Sequence, residues 1–167
     1  MKTLILIFSM LFSAGAEAQS LDKLYKYSGE VIDVKISKVS DWTVTFTYPN
    51  ETAEQTIGKY AVLKIIYSSG RTEEITPKIT VKNSKDWNNV ILIESLQAVS
   101  GLKRVGEIRG KTSIMGIHTA NGADRKSLKK LKSSAAGMGA CFVLLTTDKD
   151  NVLTGQAIKR GVAYSYN

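Results

Sequence analysis

His118 and Cys141 are the only histidine and the only cysteine in this 167-residue chain. Thiol or imidazole chemistry would have to pass through them. A Cys-His pair works when the imidazole takes the thiol proton, and a fold can join two residues that lie apart in sequence. The surroundings of Cys141 favour a quieter role. It stands in the apolar run of residues 140–145, with no basic residue within four positions on either side. A free cysteine in such a run packs as a small hydrophobe, whereas a reactive one needs exposure and a depressed pKa. A site near Cys141 and His118 stays open as the enzymatic alternative. A metal site needs three or four clustered ligands, and the sequence has no such cluster. Residues 101–110 are spaced by glycines but lack the G-x-x-x-x-G-K-[ST] order of a phosphate loop. No catalytic, cofactor-binding or metal-ligating residues are assigned, and no cofactor is expected.

The second chemistry available is charge. Arg125, Lys126, Lys129, Lys130 and Lys132 fall on one arc of about 160° if residues 124–138 form a helix at 100° per residue. Leu128, Leu131, Ala135 and Met138 recur at spacings of 3, 4 and 3 on the opposite side and predict an apolar stripe. Asp124 suits the helix start, where a carboxylate accepts orphan amides, and Gly139 suits its stop. A solvated face is the plain reading of these five cations. The functional reading is a patch for an anionic partner. Nucleic acid is disfavoured, because no aromatic residue lies on this helix to stack on bases.

Two stretches of different grammar must position that helix. Ile32, Val34 and Ile36 alternate with polar residues, as do Trp42, Val44, Phe46 and Tyr48, and each set predicts a strand. Residues 62–67 read as a more buried strand and 72–76 as its return, with 57–62 a connector between strands. Residues 25–77 thus predict a small antiparallel barrel or curled sheet of four or five strands. Beyond residue 82, strands are expected at 90–93, 102–110 and 111–118, then the helix. A buried strand at 140–146 follows, then a polar loop at 148–155 and a last strand from Ile158. The expected class is α+β: a small antiparallel β-module, residues 19–82, followed by a β-β-β-α-β-β sheet domain, residues 83–167, with one amphipathic helix.

Charge divides the two halves. Residues 19–82 hold 9 basic and 8 acidic side chains, 9 − 8 = +1, while residues 83–167 hold 13 and 6, 13 − 6 = +7. Charged residues make up 23% of the chain and hydrophobic ones 43%, a globular balance that excludes intrinsic disorder. A lone cysteine excludes a disulfide scaffold.

The first 18 residues read as an address. A positive start is followed by the apolar run 4–12, too short for a membrane span, and by Ala16-Glu17-Ala18, small residues that suit signal peptidase. Cleavage is expected before Gln19. No cysteine follows the cut, so no lipid anchor is expected, and no later run predicts a transmembrane segment. The expected location is the periplasm or the exterior.

Residues 128–145, with the paired Ala135-Ala136, then Gly139-Ala140-Cys141 and the strand Phe142-Val143-Leu144-Leu145, resemble a helix-to-strand signature. It belongs to the small domain of the Rcs outer-membrane stress-sensor lipoproteins and the YbjQ-like proteins. The resemblance covers roughly residues 100–166 and implies a small α+β domain of the cell envelope. Cys141 stands where that signature usually has Asn. The paired and lipid-anchoring cysteines of the Rcs sensors are missing, and the metal-binding label of the YbjQ-like proteins finds no ligands. The first half, through Gly29-Glu30-Val31 and residues 60–71, is similar to a small β-module of exported Gram-negative proteins. Together these features lead to the expectation of an exported, non-enzymatic envelope protein that binds a protein partner or an anionic surface component. A structural accessory subunit is the other alternative.

Overall fold

The computed structural model describes residues 20–112, 120–151 and 156–167. The expected signal segment 1–18 and His118 lie outside the described residues, as does most of the strand expected at 111–118. The fold is α+β, mostly β-sheet with one main helix. Among the described residues no helix is long and apolar enough to cross a membrane.

Six antiparallel strands come first: β1 (Asp22–Lys26), β2 (Val31–Val39), β3 (Thr43–Thr47), β4 (Glu54–Gly58), β5 (Val62–Ile66) and β6 (Thr72–Glu74). Their order is β4-β3-β2-β1-β5-β6. β2 is long because it serves two neighbours. Val31 to Val34 pair with β1, and Lys35 to Val39 pair with β3 across a register shift between Ile36 and Lys38. Such an irregularity bends a strand and increases its twist. The sheet curls around Leu24, Val34, Val44, Phe46, Val62 and Ile65, all buried. Asp22 pins the bend: its buried carboxylate accepts the Ile36 amide at 2.9 Å and the Ser68 amide at 2.8 Å.

Two of these strands depart from expectation. β1 has only Leu24 as an aliphatic inward residue, and β4, in the sequence Glu-Gln-Thr-Ile-Gly, has only Ile57. Neither carries enough alternation to show a period of two. β4 occupies part of the expected connector and is an edge strand whose first three residues are exposed. A single 3-10 turn, Lys59–Ala61, then leads into β5.

The second sheet has order β7-β9-β10-β8, from β7 (Ile91–Ile93), β8 (Lys103–Lys111), β9 (Phe142–Asn151) and β10 (Gln156–Ser165). β7 runs parallel to β9, and the other pairs are antiparallel. The helix, α1 (Ala120–Gly137), begins four residues before Asp124. Asp124 is therefore not its cap, and its carboxylate instead meets Lys159 of β10 at 2.5 Å. Met138 falls past the helix end and is exposed. Residues 148–151, expected in a loop, extend β9.

Both faces of this sheet are used. Leu131, Ala135 and Ala136 of α1 pack with Ile108, Val143 and Ala163 on one face. The helix sits so close that a Cβ on Gly110 would lie 2.0 Å from the Ser127 carbonyl oxygen. On the other face Phe142, Leu144 and Tyr164 pack with Tyr60 of the first half and with Ala98 and Val99 of a 3-10 turn. Tyr166 closes this joint. Its ring is 4.4 Å from that of Tyr27 and 5.3 Å from that of Phe142, and its hydroxyl accepts the Ile79 amide at 2.9 Å.

Candidate functional site

The apolar side of α1 fixes where its charges go. With Leu131, Ala135 and Ala136 against the sheet, Arg125, Lys126, Lys129 and Lys130 are exposed. Lys132 differs from the other four. It is half-buried, and burial lowers its pKa, which places it at the margin of the patch.

Lys129 and Lys130 are also held by the fold. The Lys129 ammonium lies 5.1 Å from the centre of the Trp87 ring, a cation-π contact with the 3-10 segment Ser84–Asn89. Lys130 Nζ donates to the Lys111 carbonyl at 3.0 Å, which ties the helix to the edge strand β8. A groove of ≈ 490 Å³ runs there, lined by Arg109, Lys111, Lys130, Ser133 and Ser134. The patch thus continues from the helix onto β8 by two cations, Arg109 and Lys111, that helical periodicity does not reveal. The available signal was their alternation in β8, where they share a strand face.

Cys141 is buried, its Sγ 3.5 Å from the Ile79 carbonyl oxygen. Burial raises the thiol pKa against the smaller opposing effect of nearby groups. A thiol in that state is a poor nucleophile. The nearby charge of Lys78 lowers that pKa, but by less than burial raises it. Among the described residues no three of His, Cys, Asp and Glu gather as metal ligands.

Among the described residues Lys159 is the buried cation, 4% exposed, beneath α1 and paired with Asp124. It belongs to the packing of helix on sheet. Among the described residues the two grooves on the second half are open and bordered by Arg109, Lys111, Lys130 and Arg160. No protein-family model matches the chain, no curated protein is significantly similar to it in sequence, and no solved structure matches it significantly.

Proposed function

We propose that this is an exported, non-enzymatic envelope protein that uses the basic surface of α1 and β8 to bind an anionic surface component. The observation that carries the reading is the exposed row Arg125, Lys126, Lys129 and Lys130, continued by Arg109 and Lys111 along one groove. Export rests on the three-part grammar of residues 1–18, and the mature chain begins at Gln19. The six-stranded unit and the helix-bearing unit are read as successive modules, 19–82 and 83–167. The likeness of residues 100–166 to envelope stress-sensor domains supports the same compartment. Burial of Cys141 speaks against the enzymatic alternative.

Co-sedimentation with lipopolysaccharide or anionic vesicles at low salt tests the binding. Each cation near a charged surface contributes about 1 kcal/mol. Replacing Lys126, Lys129 and Lys130 together by Gln should weaken binding by about 100-fold. Raising salt from about 0.01 to 0.1 M shortens the Debye length from about 30 to 10 Å and should weaken the wild type steeply. Equal binding by wild type and triple variant returns the row to a solvated face. The intact mass of exported protein tests the address, and a mass retaining residues 1–18 refutes it.

A further inference from the structure

The first half covers the sheet face opposite α1 only in part. Beyond Leu144 and Tyr164 that face carries an open groove of ≈ 550 Å³, bordered by Glu107, Arg109, Thr146, Thr147, Arg160 and Val162. Strand register explains its chemistry. Arg160 of β10 is the direct partner of Arg109 in β8 and of Thr147 in β9, so the three form one row across adjacent strands. Directly opposed residues have Cβ atoms about 4.5–5.5 Å apart, and like charges in that relation repel. Both arginines are exposed, and among the described residues no carboxylate pairs with either. Glu107, the acid in the groove, is held by Arg104 at 2.8 Å. A local rule of sheet pairing is broken here, and among the described residues no carboxylate compensates, which is the mark of a functional position.

A second feature falls at the same place. Thr147 stands opposite Arg160, but Leu145 stands opposite Gly161, so Thr146 is an extra residue in β9. A bulge of this kind re-aims a side chain, and it brings two consecutive threonines to the border of one groove.

We infer that Arg109, Arg160, Thr146 and Thr147 form a binding site for a phosphate monoester. A guanidinium presents a planar fork that grips phosphate or carboxylate through two parallel hydrogen bonds. One fork satisfies the two oxygens of a carboxylate. Two forks with two hydroxyls match the three terminal oxygens and double charge of a monoester, and the open groove leaves room for the group that carries it. The ester is either a soluble one, such as a sugar phosphate, or the headgroup of a phosphorylated lipid. The site lies across the sheet from α1 and shares only Arg109 with the groove beside the helix, so Arg160, Thr146 and Thr147 separate the two.

The probes are phenyl phosphate, titrated at ionic strength matched with sodium chloride and followed by backbone amide shifts, and vesicles containing phosphatidic acid. Wild-type protein should bind phenyl phosphate saturably, with the largest shifts at residues 107–109, 146–147 and 160–161. Arg160→Gln and Arg109→Gln should each weaken binding about tenfold or more, the loss expected for a hydrogen-bonded charge. Lys85→Gln, an exposed change of equal charge on another element, should not. Both arginine variants relieve a repulsion, so their melting temperatures should match or exceed that of the wild type. Vesicle binding without binding of phenyl phosphate, and lost in the same two variants, supports the site with a lipid-borne ester. Failure of both probes to bind, phenyl phosphate binding that survives both substitutions, or vesicle binding that survives them once Lys126, Lys129 and Lys130 are also replaced by Gln, overturns the proposal.

Discussion

In the six-stranded sheet Lys23 meets Asp33 at 2.8 Å, Lys26 meets Glu30 at 3.0 Å and Arg71 meets Glu73 at 2.9 Å, all at the surface. The four-stranded sheet treats its charge otherwise. One pair, Lys159 with Asp124, is drawn beneath α1, one pair lies along β8, and a row of cations spreads over the helix, the sheet edge and the far face. Exposed pairs like those of the first sheet contribute little to stability, since solvent screens them. They offset one another, and the first half ends near neutrality, 9 − 8 = +1. The second half, 13 − 6 = +7, keeps its surplus on defined surfaces. The net positive charge of the chain is therefore concentrated in its second half.

The comparison also concerns packing, and packing gives the largest expected effect. In the second sheet the helix rests on glycine: a Cβ at Gly110 would lie 2.0 Å from the Ser127 carbonyl oxygen and 2.9 Å from the Leu131 nitrogen. Helix backbone cannot yield as a side-chain tip can. Gly110→Val should lower stability by about 3 kcal/mol, at the upper end of overpacking effects, read as a fall in the urea midpoint. In the first sheet Gly70 has φ 84° with nothing within 4 Å, so Gly70→Ala meets only backbone strain. That should cost about 1 kcal/mol. Equal losses would mean that α1 is not held tightly on β8.

Charge comes next. Asp124→Ala removes one partner of the buried Lys159 ammonium and should cost about 2 kcal/mol, the worth of one hydrogen bond to a charged group. Asp33→Ala removes the partner of Lys23, where both side chains are more than half exposed, 52% and 56%. It should leave the unfolding midpoint unchanged within error. A comparable loss in both variants would erase the distinction between buried and solvated pairs.

The sequence made some of this legible and hid the rest for physical reasons. β2, β3, β5 and β8 could be read because their inward residues alternate or cluster. β1 and β4 could not, with one aliphatic core residue each. Asp124 looked like a cap because carboxylates at helix starts are stabilised by the backbone. Its true partner, Lys159, arrives from a strand far along the chain and leaves no local trace. The cations of α1 could be placed by helical periodicity, although the half-burial of Lys132 depends on a neighbour that periodicity does not supply. Arg109 and Arg160 are brought together by the register of β8 on β10 alone, and the bulge beside Arg160 lies in the other pairing, between β9 and β10. Pairing between distant strands is the information that a single sequence carries least openly.

The smallest expected effect lies where the two regions meet. Tyr166 packs on Tyr27 and Phe142 and accepts the Ile79 amide, and burial pushes its pKa up to about 12. Burial raises Tyr27 as well, with the charge of Glu74 adding to it, and burial raises Cys141. All three shifts have one sign. In the folded protein these groups hold their protons to higher pH than in the unfolded chain, where Tyr titrates near about 10 and Cys near about 8.5. The unfolded state therefore binds fewer protons in that range, and stability falls as pH rises. The contribution of Tyr166 is fully present below about pH 10 and is lost as pH climbs through about 12. Tyr166→Phe should be less stable than wild type at pH 7, because the Ile79 amide loses its acceptor. Above pH 10 its stability should fall less steeply, because one raised group has been removed. Urea midpoints collected from pH 7 to 11 for both proteins read this as converging curves. Parallel curves would show that the joint between the sheets does not hold the Tyr166 proton and that the alkaline loss belongs to other groups.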